Sequence, residues 1–346
     1  MAVKAKGEFY KSSIFWALLA LGLLLLFNLA ATPGFFKIEI KDGHLYGSLI
    51  DILNRSSSLI IIAIGMSLVI ATKGIDISVG STVAITGAMA ALLIGGNLQI
   101  VDGVQTFTTN VPMAVAILGA LVLATAIGLW NGILISRIGM QPIIATLILM
   151  VAGRGIAQLL TNGQIITIYY KPYFFIGNGF LLGLPFSIYL VLIVLAATLL
   201  FTRKTALGLY IESVGINPVA SRVTGIDEKK ILLFVYAFCG FCAGIAGLIV
   251  SSNVKCADGI NAGEMFELDA ILAVAIGGTS IAGGKFFLIG SVVGALLIQT
   301  LKTTIYSIGV PPEINLIIEA IVVFIVMNIQ SAEFRKLVFR MKPAKE

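Results

Sequence analysis

Apolar residues run through this chain in long blocks rather than in alternation, and short polar breaks separate the blocks. Ten can be drawn, at roughly 14–31, 54–71, 78–96, 112–135, 142–161, 186–202, 231–252, 267–281, 286–305 and 314–330. A helix needs about 20 apolar residues to cross a hydrocarbon core about 30 Å thick. Within lipid every backbone polar group must be satisfied by the protein itself, which leaves helices and closed barrels as spanning structures. Blocks rich in Gly and Ala with no period of two predict helices. The pattern therefore predicts an all-α polytopic integral membrane protein with about ten transmembrane helices, forming one transmembrane domain over residues 1–346. The third and eighth blocks are short and flanked by Gly-rich breaks.

Composition agrees and adds orientation. Hydrophobic residues make up 58% and charged residues 12% of the chain, and the mean hydropathy is +1.05. That charged share is about half of what soluble proteins carry. Placing the N-terminus inside puts residues 1–13, 72–77, 136–141, 203–230, 282–285 and 331–346 on the cytoplasmic side. These segments hold 16 Lys and Arg, against four (Lys37, Lys41, Lys171, Lys255) in the opposite loops. The positive-inside rule then places both termini in the cytoplasm. The net charge of +6 is a topology signal, and without a soluble basic domain it gives no nucleic-acid interface. Lys4, Lys6 and Lys11 precede an apolar stretch of about 18 residues, longer than a signal-peptide core, so the first block is expected to be an uncleaved helix.

The longest polar insertion is Arg203–Lys230. Asn217 suits a helix N-cap, Pro218 the first helical position, and Gly225 the residue just past the end. A second short helix precedes it, from Thr205 as cap through Val214 to Gly215. The insertion is expected to fold as two short helices at the membrane surface, a shape suited to a partner.

Several chemistries are excluded. The single histidine, His44, cannot assemble a His-based metal site or a hydrolytic triad. Cys239 and Cys242 have redox-pair spacing, but they lie in an apolar helix with Gly240, Gly244 and Gly247 and read as packing residues. Thr279–Phe286 faintly resembles a phosphate loop, yet Thr279 stands where Gly is required and Phe286 where Ser or Thr is required. With no nucleotide site of its own, driven transport would need another subunit or an ion gradient.

Polar residues inside spans are costly in lipid and mark candidate sites. Lys73–Gly80 (KGIDISVG) interrupts apolar sequence on both sides. A helix broken there exposes backbone to a cavity near Asp76 and Ser78; alternatively, the segment is a tight turn in which one of them caps the third helix. Asn54 and Arg55 open the second block, facing either an external vestibule or the headgroups. Asn131 suits an interhelical hydrogen bond. Arg154 and Gln158 share one face of the fifth helix, and Glu267, Asp269 and Glu319 are the candidate partners of Arg154. Glu267 and Asp269 form either a polar mouth or the end of a loop. Small residues four apart (Gly80, Ala84, Ala88; Gly240, Gly244; Gly290, Gly294) predict helix-packing faces.

Taken in order, these segments resemble permeases of bacterial ATP-binding-cassette (ABC) sugar importers, in the branch that includes ribose, arabinose and galactofuranose permeases. The likeness runs from about Ile50 to Gln330. It is carried by residues 50–55 (IDILNR), 64–80 (IGMSLVIATKGIDISVG), 129–132 (LWNG), 141–147 (QPIIATL), 205–208 (TALG), 214–226 (VGINPVASRVTGI) and 275–284 (AIGGTSIAGG). Residues 42–48 and 148–158 look most like galactofuranose permeases. The resemblance implies a passive subunit, not itself an enzyme, in the bacterial inner membrane. It further implies a second permease copy or a homologous permease, a periplasmic sugar-binding protein, and a cytoplasmic ATPase that carries the ATP and magnesium. The chain itself would bind no cofactor. Within loop 203–230 it assigns ATPase coupling to Glu212, Gly215, Asn217, Pro218, Ala220, Arg222 and Gly225. The substrate pathway would draw on Asn54, Arg55, Asp76, Ser78, Asn131, Arg154, Gln158 and Asp269. Ser221 departs from the family, which commonly has Ala there, so contacts with the ATPase are expected to differ. The competing class is an ion-coupled secondary transporter of a small polar solute, which would want several mid-membrane acids where this chain has few.

Overall fold

The computed structural model describes residues 13–41, 43–95, 98–101, 104–107 and 109–330. The lysines at 4, 6 and 11, Asp42 and residues 331–346 lie outside them, so the sidedness of both chain ends stays an expectation from charge. Each apolar block contains one helix: α1 (Ser13–Ala31), α2 (Ser48–Ala71), α3 (Val79–Ile94), α4 (Met113–Ile133), α5 (Pro142–Leu160), α7 (Phe186–Lys204), α10 (Glu228–Val254), α11 (Phe266–Ile276), α12 (Leu288–Ser307) and α13 (Pro312–Gln330). Three shorter helices, α6 (Phe175–Asn178), α8 (Leu207–Ile216) and α9 (Pro218–Val223), lie in connections. Among the described residues seven helices are long and apolar enough to span: α1, α2, α4 with its π-helical extension Leu134–Ile138, α5, α7, α10 and α12.

The eighth block is shorter as a helix than its apolar sequence. It was expected over 267–281, but α11 ends at Ile276 because Gly278 turns left-handed (φ +89°). The Thr279 N–H then reaches back to Val274 O (3.2 Å) and Gly278 N–H to Ala275 O (3.0 Å), a Schellman closure. The third block likewise yields only the 16 residues of α3. Both are shorter than the roughly 20 residues of a full span, α11 with its 11 residues being about half of one.

The core is centred on α2 and α10. Most of α2 is buried, whereas in α1 only Ala17 and Asn28 are buried among the described side chains. α10 packs against α4, α2 and α3, and α12 against α2 and α11. Lipid offers no hydrophobic force between helices, so close backbone approach through small residues must supply the packing. A Cβ at Gly240 would lie 2.5 Å from Ala124 O, and one at Gly128 would overlap the Tyr236 carbonyl. A Cβ on Gly65 of α2 would lie 3.1 Å from the Cys242 Cβ and from the Cys239 Cα, and both cysteines are buried packing residues free of any disulfide. Gly294 faces Ala273 O and Gly290 faces Gly277 O across α11 and α12. The stripes at four-residue spacing are therefore packing faces.

The connections segregate to two ends. One end carries four two-stranded antiparallel sheets: Glu39–Lys41 (β1) with His44–Tyr46 (β2), Leu98–Val101 (β3) with Val104–Phe107 (β4), Ile166–Thr167 (β5) with Cys256–Ala257 (β8), and Phe180–Leu181 (β6) with Leu184–Pro185 (β7). The Leu45 N–H joins two of these hairpins by bonding Gly183 O at 3.0 Å. The other end carries α8 and α9.

If the α4–α10 contact is what holds the centre, Gly240→Leu should cost at least the 1–3 kcal/mol typical of overpacking, about that much even with relaxation. The check is thermal unfolding of the purified protein in detergent, with membrane abundance measured in parallel. A melting temperature equal to that of the parent would refute the packing assignment.

Candidate functional site

The α2–α3 break is a buried knot of hydrogen bonds. Asp76 and Ser78 are each 1% exposed. Asp76 Oδ1 accepts from the Ser78 N–H (3.0 Å) and hydroxyl (2.6 Å). Asn131 of α4 donates its amide to Ser78 Oγ (2.9 Å) and to Asp76 Oδ1 (3.5 Å). The free carbonyl of Ile75 accepts from Thr146 Oγ1 (3.3 Å) and the Tyr236 hydroxyl (3.5 Å). Tyr236 lies eight residues into α10, so the break is level with a point about 12 Å along that helix. Asp76 thus braces the turn that leads into α3 from within the helix packing, and the structure brings Asp76, Ser78 and Asn131 into one cluster.

The second break precedes α11. Gly263 and Gly80 approach so closely that a Cβ on Gly263 would lie 2.6 Å from Gly80 O. Glu267, 5% exposed, lies against Gly80, and its Oε2 has no hydrogen-bond partner. Arg154 of α5 does not form an ion pair with any of the three acids expected for it. Its Nη1 donates to Ala262 O (2.5 Å), pinning the loop before α11. Gln158 lies one turn further along the same helix, where its backbone is 2.9 Å from a Cβ built on Gly259. In that loop Asp258 is held below its usual carboxylate range. Partial burial pushes it up, but hydrogen bonds from the Asn261 side chain and the Asn261 and Ile260 N–H groups, with Arg154 nearby, bring it lower.

Asp269 belongs to a different group. It pairs with Lys302 of α12, whose Nζ also stands 3.7 Å from Glu319 of α13. Long-range pairing of this kind has no local signature in the sequence.

At the α8–α9 end the local chemistry follows the sequence closely. Asn217 Oδ1 accepts from the Val219 (3.0 Å) and Ala220 (3.1 Å) N–H groups, and Pro218 opens α9. Gly225 takes φ +86° just past the end, and Ile226 N–H bonds Ser221 O at 2.9 Å. Arg222 pairs with Glu228. Asn217, Pro218, Ala220 and Arg222 are exposed, while Val219 (67%) and Val223 (85%) present apolar surface. Ser221 is turned inward, 4% exposed, and donates to Asn217 O (2.9 Å), so its departure from Ala lies on the protein side of α9. Glu212 lies apart, in a groove of about 290 Å³ with Arg203 and Phe286.

Gly215 is the joint between this surface and the spans. A Cβ there would overlap the Ala71 carbonyl at the end of α2 and sit 2.6 Å from Gly284 N. The Gly284 N–H bonds that same Ala71 O at 2.8 Å, and Lys73 Nζ donates to Ile216 O at 3.0 Å. The run that resembled a phosphate loop is therefore a turn, with Gly283 and Gly284 left-handed (φ +83° and +82°), wedged between α2 and α8.

At the opposite end Asn54 and Arg55 line a cavity of about 350 Å³ together with Asp51, Asn178, Asn253 and Phe266. The last four were not singled out from sequence. Asp51, however, stands at the right spacing to have been found: 51, 54, 55 and 58 fall on one helix face.

The family described as branched-chain amino acid transport system, permease component, matches residues 48–327. The chain is 46% identical to the galactofuranose transporter permease protein YtfT of Escherichia coli, over 93% of this chain and 90% of that one. It is 41% identical to the fructose import permease protein FruF of Bifidobacterium longum, over 99% and 96% of the two chains. It is 35% identical to the ribose import permease protein RbsC of Escherichia coli, over 91% and 92%. No solved structure matches the chain.

Removing one partner of a buried ion pair strands the others, at a cost of about 3–5 kcal/mol. Lys302→Met should therefore lower the melting temperature of the purified protein markedly, and adding Asp269→Asn to it should recover part of the loss. A single variant as stable as the parent would show that Lys302 holds nothing together.

Proposed function

The chain belongs to the permease-component family of branched-chain amino acid transport systems, and from that premise we propose that it is the membrane subunit of an ABC importer for a monosaccharide. The sugar class is supported by the relatives named for galactofuranose, fructose and ribose transport. In this reading it sits in a bacterial inner membrane, beside a second copy of itself or a homologous permease. A periplasmic binding protein delivers the sugar to the hairpin end. A cytoplasmic ATPase, which holds the ATP and magnesium, docks on α8 and α9. Both termini and loop 203–230 are cytoplasmic, as the basic residues favour.

One observation supports this most directly: an exposed apolar face on α9 stands on a joint with no slack. Val219 and Val223 are free to fill a groove on a partner, and Gly215 abuts the last carbonyl of α2. A push on α9 would move the end of α2 and the 279–285 turn that leads into α12. Nothing flexible intervenes to absorb the displacement, so the coupling is of the rigid-body type. Asn217, Pro218, Ala220, Arg222 and Gly225 build or present the docking element; Gly215 and Glu212 contact what it moves. The pathway for the sugar would run from the cavity at Asn54 and Arg55 toward the two breaks, passing Arg154 and Gln158, with Asp76, Ser78, Asn131 and Asp269 holding its walls.

Two variants separate docking from transmission. Val219→Asp with Val223→Asp should abolish co-purification of the ATPase. Gly215→Ala should leave co-purification intact but cut ATP-driven sugar uptake at least tenfold at equal membrane abundance. Normal uptake by the double aspartate variant would remove the basis for the docking surface.

A further inference from the structure

We propose that the cavity between the hairpin ends of α2 and α10 is a receiving site for a neutral, polyhydroxylated ligand. It is the first station of the sugar in the membrane subunit, and the inference rests on the importer reading above. On α2, Asp51, Asn54, Arg55 and Ser58 recur at the spacing of one helix face, in the first three turns of a helix that is buried and largely apolar beyond them. Asp51 and Arg55 are exposed, Asn54 is half-buried and Ser58 is buried, so this face runs from the open end of the cavity inward. Their partners are incomplete. Asp51, Arg55 and Asn253 make no side-chain hydrogen bond or ion pair with the described residues. Asn54 Oδ1 accepts from Ser187 (2.5 Å), leaving its NH₂ to donate. Asn178 spends its NH₂ on Ser252 O (3.1 Å) and Asn253 O (3.0 Å), leaving its oxygen to accept.

The cavity thus offers donors from Asn54 and Arg55, acceptors from Asp51 and Asn178, and both from Asn253. A sugar hydroxyl donates and accepts at once, so neighbouring hydroxyls require this mixture. One carboxylate and one guanidinium leave the lining formally neutral, which suits an uncharged ligand better than an anion or a cation. Phe266 supplies an apolar wall for the C–H face of a ring, and the volume of about 350 Å³ falls within the range of small-molecule sites. Phe266 is also the first residue of α11 and directly precedes Glu267, buried at the second break. A movement of α11 transmitted from the far end would therefore open the floor of this cavity toward the middle of the protein.

The test uses the complete importer in proteoliposomes, with radiolabelled D-fructose, D-ribose, D-galactose and L-leucine as probes. Arg55→Gln and Asn253→Ala should each lower the amount of sugar moved per ATP hydrolysed at least fivefold. In a second measurement Asn253→Cys, made with Cys256→Ser, should react with a membrane-impermeant maleimide, and the transported sugar should slow that reaction. Unchanged sugar moved per ATP, or labelling indifferent to sugar, would overturn the receiving site while leaving the importer reading intact. Leucine carried in place of every sugar, or no ATP-dependent transport at all, would instead overturn the importer reading and the site with it.

Discussion

A helix broken inside a membrane frees backbone groups that lipid cannot satisfy, and that constraint organises this protein. An unpaired buried polar group costs several kcal/mol in order of magnitude, so each break must be met by side chains from elsewhere in the sequence. At the α2–α3 break Asp76, Ser78 and Asn131 close on one another, and Ile75 O is met from α5 and α10. At the start of α11, Gly80 and Gly263 bring two backbones together and Arg154 holds Ala262 O. The side chains that supply these bonds come from α4 (Asn131), α5 (Thr146 and Arg154) and α10 (Tyr236), helices far apart in the sequence.

The same constraint links chemistry to motion. The end of α2 lies between the knot around Asp76 and the joint at Gly215. Ala71 O is shared by Gly284 N–H and crowded by Gly215. A close-packed joint on one side and a hydrogen-bonded turn on the other tie the end of α2 to its neighbours. In the proposed importer, that tie would let a motor docked at one end change access to a cavity at the other.

What the sequence made legible was local. The caps of α9, the left-handed Gly225 and the glycine faces each depend on residues within a turn or two, and each is found in place. The apolar blocks predicted where helices lie, but not that α11 would stop at Gly277–Gly278, because Gly-rich apolar sequence is compatible with either a span or a turn. Long-range pairing was out of reach. Nothing near Arg154 in sequence points to a carbonyl more than a hundred residues away, and Asp269 finds Lys302 only through the packing of α11 on α12. Asn178 and Asn253 entered the candidate site for the same reason: they meet α2 only in three dimensions.

The central claim is that this subunit is driven by an ATPase docked on α8 and α9 rather than by an ion gradient. Glu267 Oε2 and the Glu319 carboxylate, the latter beside the Lys302 ammonium, are buried without hydrogen-bond partners, and such acids are the groups that an ion-driven mechanism would use. The decisive measurement is sugar uptake in cells whose proton gradient is collapsed by an uncoupler while glycolysis sustains ATP, set beside cells depleted of ATP with the gradient intact. The account predicts uptake in the first and none in the second; the reverse pattern would contradict it.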